Sequence, residues 1–247
     1  MKHITNPLND IDADIGAYIN SYPNNDYTEV IKKNKRLEIS RYLSDMPNGL
    51  FAWYPFENSA DVLVIGGQFG AFLDSISRRC KKVVVVEKDG YRAYFTKVRM
   101  KNSKNIIIIN SDIFDYQRNN KDSFDYIIWA IDENIDNLIK KDYEAHFLTL
   151  QKLLKPKGKV LAIIPNRLGV KFFCGERDSK SNLPFDGITD NYSAIYRFSR
   201  SELLVFLSEM SFNSAKLYYP LPDYKNPQLI YTDQYPPGEE VIERLKV

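Results

Sequence analysis

Three short strings of residues carry the chemistry that can be read from this chain. Gly66-Gly67-Gln68-Phe69-Gly70 follows the apolar run Val62-Leu63-Val64-Ile65. Glycines there let the backbone approach a ligand closely, and the helix that starts next offers free N–H groups. Glu87 closes a second apolar run, Val83 to Val86, and lies 21 residues beyond Gly66. An acidic residue at that distance, at the end of a second strand, is the usual device for holding a ribose through its hydroxyls. Ser111-Asp112-Ile113-Phe114 follows a third run, Ile106 to Ile109. Asp112 can accept a hydrogen bond from an exocyclic amine or cap the next turn, and Ile113 or Phe114 offers an apolar face to a purine. The three strings outline a nucleoside pocket. A dinucleotide would want a G-x-G-x-x-G turn under its pyrophosphate. Gln68 stands where the second glycine of that pattern belongs, so a nucleoside without a pyrophosphate fits better.

Such a pocket requires an open parallel sheet whose strand ends lie side by side. Short, continuously apolar runs at 62–65, 83–86, 106–109, 124–129 and 159–164 read as strands buried on both faces. Helical stretches at 69–79, 91–100 and 142–154 alternate with them. This order predicts right-handed crossovers and a doubly wound, Rossmann-like α/β sheet. Ahead of it, 10–20 and 26–43 read as helices and Leu50 to Phe56 as an apolar segment, so that residues 1–56 form a helical N-terminal cover on a domain of residues 57–247. Residues 166–197 show no period and are expected to form an inserted lid. Ser199 and Glu202 make a capping-box pattern that opens a helix through Met210. Strands at 215–219 and 228–231, joined by the proline-rich stretch 220–227, bring the expected sheet to seven strands, mostly parallel with an antiparallel last strand.

Composition narrows the class. The 247 residues hold 34 Lys+Arg against 32 Asp+Glu, a net charge of +2, which lacks the basic excess of a duplex-binding protein. No apolar run approaches the ~20 residues of a membrane span, and the first residues lack the features of a signal peptide; a cytoplasmic protein is expected. Cys80 and Cys174 fit a reducing compartment, and with His3 and His146 they offer no zinc ligand set, so no metal is expected. Aromatic residues are 13% of the chain, with 17 Tyr, several of them between Tyr192 and Tyr235 where an acceptor would bind.

The stretch from Leu50 to Tyr116 resembles the core of class I S-adenosylmethionine-dependent methyltransferases. Phe51 to Phe56, Asn166 to Phe173, Phe185-Asp186-Gly187-Ile188, Phe198-Ser199 and Tyr219 to Lys225 are similar to members found in bacterial surface-polysaccharide and glycosyltransferase gene clusters. The resemblance implies S-adenosylmethionine as cofactor, bound by Gly66, Gly67, Gln68 and Gly70. Gly66 and Gly70 would line its methionine part, Glu87 hold the ribose hydroxyls, and Asp112 with Ile113 frame the adenine. Three positions depart from the family pattern: Val64 replaces an acidic residue, Gln68 the middle glycine, and Phe69 a small residue.

Methyl transfer from a sulfonium is an in-line displacement that needs alignment and exclusion of water, with a base only where the acceptor loses a proton. The acceptor is expected over the ends of the fourth and fifth strands. Asp132, Glu133 and Asn166 are the candidate catalytic residues there, Asp132 or Glu133 as base for a hydroxyl; a solvated loop with a helix cap is the plainer reading of the two carboxylates. Arg167, Lys171, Arg177 and Arg197 are candidates for a phosphate or carboxylate on the substrate, Tyr192 and Tyr196 for stacking, and Asp223 with Tyr224 for closing the other side. His146 reads as structural. The expected acceptor is a small molecule, a sugar, nucleotide-sugar or glycan precursor. A cofactor-free domain that binds a partner such as a glycosyltransferase is the alternative. A nucleic-acid methyltransferase is disfavoured by the charge and by Trp129-Ala130-Ile131-Asp132, which lacks an Asn-Pro-Pro-Tyr-type motif.

Overall fold

The computed structural model describes residues 6–131, 138–177, 181–185, 188, 196–212, 214–236 and 238. Asn9 accepts a hydrogen bond from the Asp12 N–H at 2.9 Å and so caps α1 (Asp10–Ser21). The charged stretch behind it divides into α2 (Thr28–Lys33) and α3 (Leu37–Leu43), with an extended Asn34 between them. A 3-10 turn and α4 (Gly49–Ala52) lead into the sheet.

The sheet is built from β1 (Asp61–Ile65), β2 (Lys82–Glu87), β3 (Ile106–Asn110), β4 (Phe124–Ala130) and β5 (Leu154–Ile163), all parallel, in the order β3-β2-β1-β4-β5. The connections carry α5 (Leu73–Ser77), α6 (Gly90–Arg99), α7 (Ile113–Asn119) and α8 (Lys140–Leu153). The continuous apolar runs are explained by burial on both faces. Val62, Val64, Val83 and Val85 pack on Phe72, Leu73 and Ile76 on one face. Leu63, Val84, Ile127 and Trp129 pack on Tyr116, Tyr143, Phe147 and Leu150 on the other.

Beyond β5 come α9 (Val170–Phe173), α10 (Arg200–Glu209), β6 (Tyr218–Asp223) and β7 (Asn226–Thr232). Ser199 caps α10 in the reciprocal arrangement its spacing predicts: its Oγ accepts from the Glu202 N–H, and the Glu202 carboxylate accepts from the Ser199 N–H at 2.7 Å.

The seven-stranded sheet is corrected to five parallel strands and a separate antiparallel pair, β6 with β7. Stretch 220–227, expected as a connection, is drawn into that hairpin. Pro220 and Pro227 have no N–H to give a sheet interior, and a two-stranded ribbon has only edges, where proline is tolerated. The hairpin lies against the N-terminal segment, with Tyr218 and Trp53 rings 4.7 Å apart. Two further differences are local. β5 begins at Leu154, because Lys157, at φ 69, forms a bulge that shifts the pairing with β4. The helix expected over 69–79 is broken at Phe69 (φ 54) and keeps only Leu73–Ser77.

A third apolar cluster joins α1, α2 and α3 to Phe69 and to Tyr91 and Phe95 of α6. Asp12 of α1 and Arg92 of α6 form a buried two-point ion pair within it, at 2.7 and 2.8 Å. Among the described residues no helix is long and apolar enough to cross a membrane. Asp12→Ala leaves Arg92 without its carboxylate in a buried site. The variant should lose about 3–5 kcal/mol of stability in denaturant unfolding; a loss under about 1 kcal/mol, the range of a surface pair, would contradict this account.

Candidate functional site

The strand order reverses between β1 and β4, so the carboxyl ends of β1, β2, β3 and β4 border the crevice where such sheets bind ligands. Gly66 ends β1 with φ 81, its N–H donating to the Val86 carbonyl at 3.1 Å. A Cβ there would lie 2.9 Å from the Ala130 carbonyl oxygen, so only glycine permits β1 and β4 to approach as they do. The Gly67 N–H donates to Glu87 Oε2 at 3.0 Å, and the Asp89 N–H to Oε1 at 3.1 Å. Glu87 is 5% exposed. Burial pushes its carboxyl above the ordinary glutamate value, against the opposing pull of those two N–H groups and the Arg92 guanidinium. Each carboxylate oxygen keeps a lone pair beyond the one N–H it accepts.

The end of β3 is stitched to β2 by Asn110, whose Nδ2 donates to the carbonyls of Glu87 and Lys88 at 2.9 and 3.1 Å. No sequence signal marked that residue. Asp112 is exposed and caps α7 by accepting from the Phe114 N–H at 2.7 Å, the plainer of its two expected roles. Ile113 is buried in the core cluster with Leu63 and Val84. The aromatic face beside it belongs to Phe114, whose ring meets His146 at 4.8 Å. His146 in turn stacks on Trp129 at 4.7 Å and 8°, the structural histidine its position on a helix suggests.

Two of the three departures from the methyltransferase pattern, Val64 and Phe69, have physical explanations. Val64 is fully buried and packs on the side of the sheet that holds Phe72 and Leu73. Phe69 turns away from the strand ends into the N-terminal helices. Its ring lies 5.6 Å from Tyr42 and 5.0 Å from the Arg92 guanidinium carbon, and its carbonyl accepts from Arg99 Nη1 at 3.2 Å. The bulky residue anchors the helices above the turn.

Of the residues expected at an acceptor, Asp132, Glu133 and Tyr192 lie outside the described residues. Asn166 is exposed and folds its Oδ1 onto the Leu168 N–H at 2.9 Å. Arg167 pairs with Glu202 at 2.7 Å, Lys171 with Glu176 at 3.7 Å, and Arg177 donates to the Asn182 carbonyl at 2.7 Å. Arg197 is buried over the Phe172 ring. The Tyr196 ring packs on Phe198 and Tyr143. These side chains have partners within the chain. Asp223 accepts from the Lys225 N–H and closes the hairpin turn. Tyr224 differs: its hydroxyl accepts from Arg41 Nη2 at 2.9 Å and stands 3.5 Å from the Ile131 carbonyl, just past β4. It thereby links α3, the hairpin and the strand end beside the crevice. Arg41, 9% exposed, sits on a short charged helix and carries no motif that would have marked it.

No protein-family model matches the sequence, and neither does any curated protein. Solved structures do match. The protein in a structure described as "DhpI-SAM-HEP complex" superposes with TM-score 0.54 at 12% identity, over 92% of this chain and 98% of that one. The N-methyltransferase NodS from Bradyrhizobium japonicum WM9 is 17% identical over 66% of this chain and 75% of its own, with TM-score 0.46. A SAM dependent methyltransferase from Aquifex aeolicus is 16% identical over 77% and 89%, with TM-score 0.47. The chain has the Rossmann-like α/β fold of class I methyltransferases, with five parallel strands.

Because Val64 points into the core, Val64→Glu, which would introduce the acidic residue of the methyltransferase pattern, buries a carboxyl without a partner. It should cost on the order of 2–7 kcal/mol in thermal or denaturant unfolding. A variant as stable as the parent would show that the strand opens toward a ligand at this position.

Proposed function

We propose that this chain transfers the methyl group of S-adenosylmethionine to a small acceptor. The observation that carries the proposal is the buried Glu87 carboxylate, held by the N–H groups of Gly67 and Asp89 beside the point where the sheet order reverses. Its remaining lone pairs suit the two hydroxyls of a ribose. Gly66 and Gly70, both at positive φ, leave backbone without side chains for the methionine part. The second carboxylate oxygen of the exposed Asp112 and the ring of the half-buried Phe114 suit the amine and ring of an adenine, with Ile113 in the core next to them in sequence. Bound there, the cofactor supplies a methyl group on a sulfonium. The chain's own part is to orient the acceptor and keep water out.

The acceptor reading is a sugar, nucleotide-sugar or glycan precursor. It is supported by the near-neutral charge and by Tyr224, whose hydroxyl stands just past the end of β4. Asp132 or Glu133 would take the proton of a hydroxyl acceptor, Asn166 is the third candidate catalytic residue, and the similarity of the segments after β5 extends the reading to a glycosyltransferase as partner.

Calorimetry with S-adenosylhomocysteine tests the cofactor assignment. Binding is expected, and Glu87→Ala should weaken it by about 1–3 kcal/mol, the range for losing hydrogen bonds to a charged group. No heat at millimolar ligand from folded protein would refute the proposal.

The pH dependence follows from the raised carboxyl of Glu87. A raised folded value means that the protonated form is favoured by folding: its contribution to stability is complete below the ordinary glutamate value of 4.5 and is lost as pH rises through the folded value. The ionised form is the better acceptor for ribose hydroxyls. Cofactor affinity should therefore fall with acidification and begin to fall above 4.5, while Glu87→Gln removes that titration. An affinity constant down to pH 4.5 would contradict the ribose role.

A further inference from the structure

The two edges of the parallel sheet differ in kind. β5, at one end of the strand order, carries Pro156, Lys157 at φ 69, Gly158 and Lys159, and its pairing with β4 is shifted by the bulge there. Proline, lysine and a bulge are the usual means of keeping a foreign strand off an edge. β3, at the other end, has none of them. It reads Ile106-Ile107-Ile108-Ile109-Asn110, and among the described residues no strand pairs with its outer side. An uncharged apolar edge of this kind is a template for another strand.

The backbone of β3 fixes what such a strand would meet. The Val83 N–H donates to the Asn105 carbonyl and the Ser111 N–H to the Glu87 carbonyl, so in the parallel ladder with β2 the N–H and C=O groups of Ile107 and Ile109 turn inward. Those of Ile106, Ile108 and Asn110 turn outward. Side chains alternate as well: Ile106 and Ile108 pack on the cluster that holds Phe72 and Leu73, and Ile109 on the one that holds Leu63 and Val84. Ile107 shares the face of Ile109 and is 47% exposed. The two ends of the strand are oppositely charged, with the exposed Lys104 before it and the exposed Asp112 after it.

We propose that β3 is an edge for self-association, along which two copies of this chain pair antiparallel about a two-fold axis at Ile108, so that two five-stranded sheets become one of ten. Antiparallel strands exchange both hydrogen bonds between residues whose groups face each other. An axis at Ile108 pairs Ile108 with itself and Ile106 with Asn110, which uses every outward group of the strand. The same register sets Ile107 against Ile109 of the other copy on the open face and brings Lys104 of each copy to the end where the other carries Asp112, twice by symmetry. A parallel arrangement would instead place lysine beside lysine and carboxylate beside carboxylate. The proposal is independent of the cofactor reading.

Sedimentation equilibrium of the full chain at micromolar concentrations tests it. The parent should show a monomer–dimer equilibrium. Ile107→Lys sets a charge against Ile109 of the other copy, and Lys104→Glu brings two carboxylates together at both ends; each should weaken the dimer by about tenfold or more with the circular dichroism of the parent retained. Amide exchange reads the register: the N–H groups of Ile106, Ile108 and Asn110 should be protected in the dimer and exchange freely in Ile107→Lys, while those of Ile107 and Ile109 stay protected in both. A parent that remains monomeric overturns the proposal, and protection of the outer amides in that monomer would assign the edge to other residues of the same chain. A dimer that both substitutions leave intact overturns it too, since the contact would then lie on another face.

Discussion

The arrangement of the N-terminal third depends on the buried ion pair between Asp12 and Arg92. Two charges withdrawn from water are tolerable only when each meets the other with good geometry, and here the guanidinium meets the carboxylate at two points. Arg92 and Arg99 are seven residues apart on α6, close to two turns, and so reach out from one side of that helix. Arg92 takes α1; Arg99 takes the carbonyls at Tyr42 in α3 and Phe69 in the glycine turn. The Phe69 ring lies against Arg92 and Tyr42. One helix thus binds the cover and the turn into a single unit, and the turn that borders the crevice is held from behind.

That support bears on the chemistry of the crevice. Glu87 fixes the turn through the Gly67 N–H, and the proposed function gives the same carboxylate the ribose. Its burial raises the carboxyl, and the backbone donors hold it ready to accept. A site built this way has its acceptor geometry in place before a ligand arrives, which is the physical meaning of preorganisation. The side assigned to an acceptor in the proposed function is organised differently. Arg167 and Lys171 answer carboxylates of their own chain, and Tyr224 with Arg41 ties the C-terminal hairpin to the end of β4.

Much of the sheet was legible because its signals are local. Five apolar runs, the glycines after the first and Glu87 after the second follow from burial on both faces and from the backbone freedom that a tight turn needs. The capping box at Ser199 and Glu202 is equally local and is present as its spacing implies. The expectations that changed concern long-range placement. Strand 215–219 and its partner could be recognised as a pair, yet whether that pair joins the sheet beside β5 or packs on Trp53 depends on contacts distant in sequence. Ile113 could be named beside a purine from its position after β3; its burial under Leu63 and Val84 is a property of the assembled core.

By itself, then, the sequence determined the parallel sheet, the turn at Gly66 to Gly70 and the acidic end of β2, since each is written within a few residues and enforced by burial or backbone geometry. Only the tertiary structure decided that Asp12 pairs with Arg92 across 80 residues, that Phe69 anchors helices instead of lining a pocket, and that Arg41 meets Tyr224 across 183. The reason is physical: a charged or aromatic side chain has no preferred partner until the chain closes, and the choice is then made by which groups are withdrawn from water together.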